Sequence, residues 1–368
     1  MRITFITPQD SLTGGIRVIA TYARCLQDLG HSVLIACAPP HRLGGLRPAL
    51  RALRRGDLAG VWEATRQRFM KAVPEVGHIA NSGVPCIIFD HQQPRQVAML
   101  PEADLLIATW WETAIWVDAM PRSKGRKVHL IQGYEIWTGG DVRARLHAAL
   151  RLPNRKIAIS SQLKFDIEAE LGDLDIRVVP NAVDLVQFDA PWRDRGSPPT
   201  VGFTYSPLLI KGADLIHEAC RLVRQEIPEL RTLAFGSEHP TEDLPLPPDT
   251  EFHYRPAQDR IPGLYARCDA WLFASRLDSF GLPMLEAMAC RTPVIGVPIG
   301  AAPDLLADGA GILVPSESPQ AIATALMALL RSPADAWRRM SVISYERAHA
   351  YSWDDATALL LEAIGDQP

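Results

Sequence analysis

The stretch SRLDSFGLPMLEAMACRTPVIGVPIGAAPD, residues 275–304, decides the fold of this chain. The apolar run AWLFA at Ala270–Ala274 precedes it and is typical of a strand buried in a parallel sheet. A helix is predicted over Pro283–Ala289, because proline suits the first turn of a helix and no breaker follows it there. A second apolar run, Pro293–Val297, predicts the next strand. The order strand, turn, helix, strand indicates an α/β protein with a parallel sheet.

Two carboxylates flank the tight turn of this stretch. Asp278 lies at the mouth of the predicted helix, and Glu286 lies just inside the helix, eight positions later. The N–H groups at a helix start suit an anionic or hydroxyl-rich ligand, and carboxylates beside them accept hydrogen bonds from sugar hydroxyls. The alternative is an acidic residue that only stabilises the start of the helix.

Strands and helices alternate with short loops along the rest of the chain, which predicts doubly wound parallel sheets. One series fills residues 1–184. The stretch DLVQFDAPWRDRGSPPT at 184–200 is proline-rich and has no hydrophobic period, so we assign residues 185–200 as a linker. A second series fills residues 201–350, and two further helices are expected after Val314. Ser352 and Asp355 predict a capping box that opens the last of them, in residues 351–368.

Composition limits the class of protein. The chain has 368 residues, of which 47% are hydrophobic and 22% charged, so it can form two globular cores. Its net charge of −4 does not favour nucleic acid as a partner. Six scattered cysteines without a C-x-x-C pair indicate reduced thiols rather than disulfides or a zinc site. The chain opens on a strand and has no apolar run long enough to cross a bilayer, so we expect a cytoplasmic protein.

Gly14 and Gly15 end the loop between the first predicted strand and the first predicted helix. Glycines let a backbone approach a phosphate closely, and the helix start supplies free N–H groups. A dinucleotide fingerprint is excluded here, because it needs G-x-G-x-x-G and these two glycines are adjacent. The pair therefore predicts a phosphate-binding loop, and a plain turn is the alternative.

The spacing Asp278-x7-Glu286 and the continuation EAMACRTPVIG resemble the E-x7-E signature of retaining glycosyltransferases of family 4. The segments ITPQDSLTGGIRV, PNAVD and SWDDA extend the resemblance over most of the chain. The resemblance implies the GT-B fold, in which two Rossmann-like domains with doubly wound parallel sheets face a central cleft. Residues 1–184 would form the acceptor-side domain and residues 201–350 the nucleotide-sugar-binding domain. Residues 351–368 would cross back to the first domain as a helix.

The same resemblance assigns a donor site. Glu286 would accept hydrogen bonds from the ribose hydroxyls, Asp278 from the transferred sugar, and Lys211 would neutralise the diphosphate. The family usually has an arginine at the end of the preceding strand, where this chain has Tyr205, which is expected to donate one hydrogen bond to the diphosphate but carries no charge. Asp278 itself is shorter than the usual glutamate, which points to a different sugar. The other expected donor-binding residues are Gly14, Gly15, Gly236, Ser237 and the backbone of Phe280, Gly281 and Leu282.

The loop Gln132-Gly133-Tyr134-Glu135 follows a predicted strand of the first domain. Relatives in family 4 often have a histidine in this loop, and here Gln132 or Glu135 would replace it. Glu135 thus joins Asp278 and Lys211 as an expected catalytic residue, although a loop glutamate can also be merely solvated. Tyr134 and Gln132 are candidates for contact with the acceptor.

A basic run from Arg42 to Lys71 has leucines at helical spacing beside its arginines. A basic amphipathic helix is typical of proteins that bind anionic membrane surfaces, and an ordinary solvated helix is the alternative. If the membrane interpretation holds, the acceptor is lipid-linked and the protein is peripheral at the inner membrane face. The arginines expected to contact the membrane are Arg47, Arg51, Arg54 and Arg55.

The resemblance implies a retaining transferase that moves a hexosyl or deoxyhexosyl group from a nucleotide diphosphate donor. The acceptor would be a hydroxyl of a glycan, a lipid-linked molecule or a natural product. The resemblance implies that no cofactor or metal is needed and that the departing diphosphate would act as the base. Two alternatives remain open: a nucleotide-sugar epimerase or a sugar phosphorylase of the same fold, and a non-catalytic nucleotide-sugar-binding protein. An epimerase would turn over the donor without an acceptor.

Overall fold

The computed structural model describes residues 1–38, 77–89, 97–136 and 140–365. The chain divides into two compact units. Unit 1 comprises Met1–Ile131 with Glu135–Lys156, and unit 2 comprises Gln132–Tyr134 with Ile157–Pro368. Helices and strands are numbered along the described residues. The basic run with Arg47, Arg51, Arg54 and Arg55 lies outside them, so the membrane-binding helix stays a prediction.

The first sheet has the strand order β3-β2-β1-β4-β5-β6-β7 within the described ranges. Strand β1 is paired in parallel with both β2 and β4, as expected for a doubly wound sheet. Its strands are β1 (Arg2–Thr7), β2 (Ser32–Cys37), β3 (Cys86–Ile88), β4 (Leu105–Ala108), β5 (Arg126–Ile131), β6 (Arg155–Ala158) and β7 (Ile176–Val178). The accompanying helices are α1 (Gly14–Asp28), α2 (Trp111–Asp118), α3 (Gly140–Leu150) and α4 (Ser161–Leu171).

The second sheet lies in unit 2 and has the order β10-β9-β8-β11-β12-β13, with every pair parallel. Its strands are β8 (Thr200–Thr204), β9 (Arg231–Gly236), β10 (Glu251–Tyr254), β11 (Ala270–Phe273), β12 (Val294–Gly296) and β13 (Gly311–Leu313). The helices are α5 (Ala213–Glu226), α6 (Ile261–Ala266), α7 (Leu282–Ala289), α8 (Ala302–Leu305), α9 (Pro319–Arg331), α10 (Ala334–His349) and α11 (Trp353–Gly365). The two parallel sheets confirm the α/β class predicted from the sequence.

Strand β11 shows why the apolar runs of this chain form central strands. All four of its residues are buried, because helices cover both faces of a parallel sheet. Its Trp271 is fully buried and packs with the rings of Tyr265 and Phe235, at centroid distances of 4.4 and 5.6 Å. This aromatic cluster forms the core beneath the carboxyl end of the second sheet.

The order of the second sheet reverses direction between β8 and β11. Strands β9 and β10 lie on one side of this point and β12 and β13 on the other. Loops that leave adjacent strands in opposite directions open a crevice at the carboxyl edge, where ligands of open α/β sheets bind. The loops at 205–212 and 274–281 leave the sheet there, and they contain Lys211 and Asp278.

The end of the predicted linker is fixed to the second sheet through Asp269. This buried carboxylate accepts hydrogen bonds from the N–H groups of Gly196 (2.7 Å) and Thr200 (2.8 Å) and from the guanidinium of Arg193 (3.0 Å). Residues 193–200 are therefore held against the core of unit 2.

The helices after Val314 differ from the sequence prediction. Three are present, α9, α10 and α11, where two were expected. Ser332 and Pro333 separate α9 from α10, because proline has no N–H to continue the helical ladder. The predicted capping box of α11 is confirmed: Ser352 N–H donates to the Asp355 carboxylate (2.8 Å), and Asp355 N–H donates to the Ser352 hydroxyl (3.2 Å). None of the helices described has the length and apolar character needed to cross a membrane.

Candidate active site

Lys211 and Asp278 meet at the reversal point of the second sheet. Lys211 ends a short 3-10 turn, Leu209–Lys211, after β8, and Asp278 lies in the loop after β11. Lys211 Nζ lies 2.8 Å from Asp278 Oδ2. The two side chains remain 36% and 21% exposed, so a ligand can reach both the ammonium and the carboxylate. The structure thus brings together two of the three residues predicted to be catalytic.

Gly212 lets these two loops approach each other closely. It has φ +72, and a Cβ built on it would lie 2.0 Å from the carbonyl oxygen of Ala274. A side chain at this position would push the Lys211 turn away from the loop that carries Asp278. The glycine that follows Lys211 therefore has a steric cause.

The turn between Asp278 and helix α7 is held by its own hydrogen bonds. The N–H of Phe280 donates to Asp278 Oδ1 (3.2 Å), and the carbonyl of Phe280 accepts from Ala301 N–H (3.0 Å). The expectation that Phe280 N–H points at a sugar or phosphate is therefore not met, because Asp278 takes that donor. Gly281, with φ +88, precedes α7, whose first residue is Leu282.

Ser160 contacts the same turn from another part of unit 2. Its hydroxyl donates to the carbonyl of Ser279 (2.7 Å) and accepts from Leu163 N–H (3.1 Å), as the N-cap of α4. Ser279 lies directly between Asp278 and Phe280. The sequence analysis did not single out Ser160, because a serine before a helix is an ordinary capping signal.

Glu286 lies in α7 and is 4% exposed. Its Oε2 accepts a hydrogen bond of 2.7 Å from the hydroxyl of Tyr265, which lies in α6. Tyr265 fixes the carboxylate predicted to contact a ribose. Nothing in the sequence marks Tyr265, since it stands in the apolar stretch IPGLYA and reads as a core residue.

Tyr205 does not offer its hydroxyl to a ligand. The side chain is 2% exposed, and its hydroxyl donates to the Leu244 carbonyl (2.7 Å) and accepts from Thr241 N–H (3.1 Å). This corrects the expectation that Tyr205 could donate to a diphosphate. It packs beside Gly236, because a Cβ on Gly236 would lie 2.5 Å from the Tyr205 carbonyl. Ser237, next along the chain, is exposed.

The glycine pair of unit 1 forms the first turn of a helix. Gly14 and Gly15 are the first residues of α1, and both are exposed. The loop before them is held by Asp10, whose carboxylate oxygens accept from the N–H groups of Ile79 and Ala80, each at 3.0 Å. The helix start predicted from the sequence is therefore present and open to solvent.

The loop after β5 contains the remaining predicted residues. Tyr134 is buried, and its hydroxyl donates to the Glu170 carboxylate, so its side chain supports the fold. The amide oxygen of Gln132 is buried and has no hydrogen-bond partner among the described residues. Burial raises the pKa of the Glu135 carboxyl. Among the residues that the structure describes, no group of three His, Cys, Asp or Glu side chains is arranged to hold a metal ion.

Residues 196–348 match the family described as Glycosyl transferases group 1. A D-inositol 3-phosphate glycosyltransferase of Xylanimonas cellulosilytica is 32% identical over 220 residues, covering 52% of this chain and 51% of that protein. The O-antigen chain mannosyltransferase B of Escherichia coli is 31% identical over 111 residues, covering 30% of this chain and 28% of that protein. The chain spans about half the length of the first of these curated relatives. Both names are those of transferases and do not favour the epimerase interpretation.

Solved structures resemble the whole chain. Anabaena HepE in complex with UDP and glucose has a TM-score of 0.74 at 16% identity, over 100% of both chains. Sucrose-phosphate synthase from Thermosynechococcus elongatus has a TM-score of 0.70 at 16% identity, over 98% of both chains. At such identities the likeness concerns the fold, and it confirms the GT-B class of two parallel α/β units. The residues that match the glycosyl transferases group 1 family, 196–348, lie within this fold.

Proposed function

We propose that this chain is a glycosyltransferase that moves a sugar from a nucleoside diphosphate donor to an acceptor hydroxyl. The observation that carries the proposal is the solvent-accessible pair of Lys211 and Asp278, 2.8 Å apart at the reversal point of a group 1 domain. An ammonium binds phosphate oxygens as a point charge, and a carboxylate accepts hydrogen bonds from sugar hydroxyls. The pair offers complementary contacts to the two parts of such a donor.

Each side chain of this site has a role in the proposal. Lys211 binds the diphosphate and stabilises the negative charge that grows on it as the sugar departs. Asp278 accepts hydrogen bonds from the transferred sugar. Glu286, held in place by the Tyr265 hydroxyl, accepts from the ribose. In unit 1, the exposed start of α1 at Gly14 and Gly15 suits a phosphate group.

The finer features of the reaction rest on the family resemblance. We propose retention of the anomeric configuration, with an oxygen of the departing diphosphate taking the acceptor proton and without a metal. UDP and glucose are named for HepE, so UDP-hexoses are the first donors to test. The name of the Escherichia coli relative, an O-antigen chain mannosyltransferase, likewise supports a glycan acceptor. A lipid-linked acceptor would place the chain at a cytoplasmic membrane surface.

A binding screen tests the donor site. Wild-type protein is titrated with UDP-, GDP-, ADP- and dTDP-sugars, and a ligand that binds the native state raises the melting temperature. We expect one donor to bind, and Glu286→Gln to weaken it by about tenfold or more, since a hydrogen bond to a charged group contributes about 1.5–3 kcal/mol. Glu226→Gln, at an exposed carboxylate that pairs with Arg331, is the control and should bind as wild type. Equal binding by the Glu286→Gln variant would contradict the assignment of this residue.

A further inference from the structure

Arg276 connects the two loops of the candidate site. Its backbone N–H donates to the carbonyl of Ile210 (2.8 Å), and its guanidinium Nη1 donates to the carbonyl of Leu209 (2.7 Å). The same guanidinium holds Asp214 in a bidentate pair at 2.8 and 2.7 Å. Leu209 begins the turn that carries Lys211, and Asp214 lies in the first turn of α5 just after it. One side chain therefore fixes both ends of the segment that contains Lys211.

A third segment completes the environment of Arg276. Glu317 accepts a hydrogen bond from Nη2 at 3.0 Å, and its other carboxylate oxygen forms an ion pair with Nε at 2.7 Å. Its backbone has φ +56, in the left-handed region that favours glycine. A residue held there despite the steric cost of a side chain indicates that its surroundings determine its conformation. Four of the five N–H groups of the guanidinium then donate hydrogen bonds, and the fifth, on Nε, lies beside the Glu317 carboxylate.

The carboxylates of Asp214 and Glu317 balance the charge of Arg276, so the residue offers little positive charge to a ligand. Its effect on the site is indirect. Arg276 also precedes Asp278 by two positions, so the guanidinium that holds the Lys211 turn also anchors the loop of Asp278. We propose that Arg276 is a positioning residue that sets Lys211 against Asp278 and so presents the ammonium to the diphosphate.

Two features of this chain make such positioning necessary. Lysine has a flexible four-carbon stem, and a single 3-10 turn has poor hydrogen-bond geometry of its own. Tyr205, at the end of β8, has its hydroxyl engaged by Leu244 and Thr241. The diphosphate contact in unit 2 therefore depends on where Lys211 is held. This inference rests on the proposed function.

The test measures affinity for a diphosphate separately from affinity for a nucleoside. Wild type is titrated calorimetrically with UDP, GDP, ADP and dTDP, and the best binder is compared with its own nucleoside. We expect Arg276→Gln to weaken the nucleoside diphosphate by about tenfold, as for loss of one contact to a charged group, with the nucleoside unchanged. Arg276→Lys keeps the charge but lacks the planar fork, so it should restore only part of the affinity. Arg221→Gln, which breaks a bidentate pair with Glu218 on the surface of α5, is the control and should match wild type.

A double variant separates positioning from general support of the fold. In a Lys211→Met background, Arg276→Gln should weaken the diphosphate by less than about twofold further, because residues that act through one contact are not additive. Glu317→Gln weakens one of the three contacts of the Arg276 guanidinium, those with Leu209, Asp214 and Glu317. It should reduce the affinity for the diphosphate by less than Arg276→Gln does. This second variant tests the proposal if Arg276→Gln fails to fold.

Two outcomes overturn the inference but not the proposed function. One is that Arg276→Gln and Glu317→Gln both bind the diphosphate as wild type does. The other is that Arg276→Gln loses affinity for the diphosphate and for the nucleoside equally. Additive losses in the double variant would also overturn it. A wild type that binds none of the four diphosphates would instead overturn the proposed function, and the inference with it.

Discussion

Lys211 and Asp278 neutralise each other in the structure, so the removal of one charge changes what the other can bind. Asp278→Asn keeps the shape of the side chain but replaces the carboxylate by an uncharged amide. The Lys211 ammonium then loses its ion-pair partner. We expect this variant to bind the bare nucleoside diphosphate as well as wild type or better. Sugar transfer should slow by about tenfold or more, because the transferred sugar loses a charged hydrogen-bond acceptor. Calorimetry and initial rates measure the two effects. Parallel loss of both would show that Asp278 does not contact the sugar.

Ser160 gives a second prediction at the scale of single residues. Ser160→Ala removes the N-cap of α4 and the hydrogen bond to the Ser279 carbonyl. The lost cap should cost about 1 kcal/mol of stability. Ser318→Ala removes the cap of α9, where the hydroxyl accepts from Ala321 N–H, and should cost about the same. We expect the rate of transfer to fall in Ser160→Ala and not in Ser318→Ala. Equal rates in the two variants would assign Ser160 to helix capping alone.

The residues of the site were predictable where they follow a strand and form a local pattern. Lys211, Asp278 and Glu286 could be assigned to the candidate site through the family resemblance. Their partners could not, because Tyr265, Ser160 and Arg276 become neighbours of the site through the fold rather than through a motif. Tyr205 shows the converse, since a residue at the expected place uses its hydroxyl to hold residues 241–244.

At the scale of elements, His129 makes strand β5 sensitive to acid. The side chain is 1% exposed and its Nδ1 has no partner among the described residues. Burial, and then the nearby charge of Lys156, lowers the pKa of His129 to about 3. In the unfolded chain the imidazole titrates near pH 6.5. Below that pH the unfolded state binds a proton that the folded state does not, so stability falls as the pH drops from about 6.5 towards 3.

The substitution His129→Leu should remove this sensitivity. Between about pH 7.5 and pH 5, the free energy of unfolding should fall by roughly 2 kcal/mol more in wild type than in the variant. Urea unfolding at the two pH values measures the difference. His239→Gln, at an exposed ring, is the control and should keep the slope of wild type. An identical slope in the His129→Leu variant would contradict the burial of an uncharged imidazole.

Elements with a continuous apolar run or a clear helical period were predicted closely. Helix α7 begins one residue before its predicted start at Pro283 and ends at Ala289 as predicted, and β11 ends one residue earlier than its apolar run. The separation of α9 from α10 was missed, because only the Ser332-Pro333 step interrupts two long helical stretches.

At the scale of the whole molecule, the two doubly wound parallel sheets could be anticipated from the alternation of strands and helices. Strand order could not, because pairing between distant strands leaves no local signal. The match to the glycosyl transferases group 1 family covers residues 196–348, while the likeness to the HepE structure extends over the full chain. The central claim is therefore that this chain cleaves a nucleoside diphosphate sugar at the Lys211–Asp278 pair.

Proton NMR of donor breakdown tests that claim most directly, because water can take the place of an unknown acceptor. The donor that binds best is incubated with wild type and with Lys211→Met, and the anomeric proton of the first sugar released is followed before it equilibrates. We predict slow release from wild type, with the anomeric configuration of the donor, and release slower by about tenfold or more in Lys211→Met, since the ammonium stabilises the departing diphosphate. Release at equal rates from both proteins, an epimerised donor, or no release from any bound donor would contradict the account.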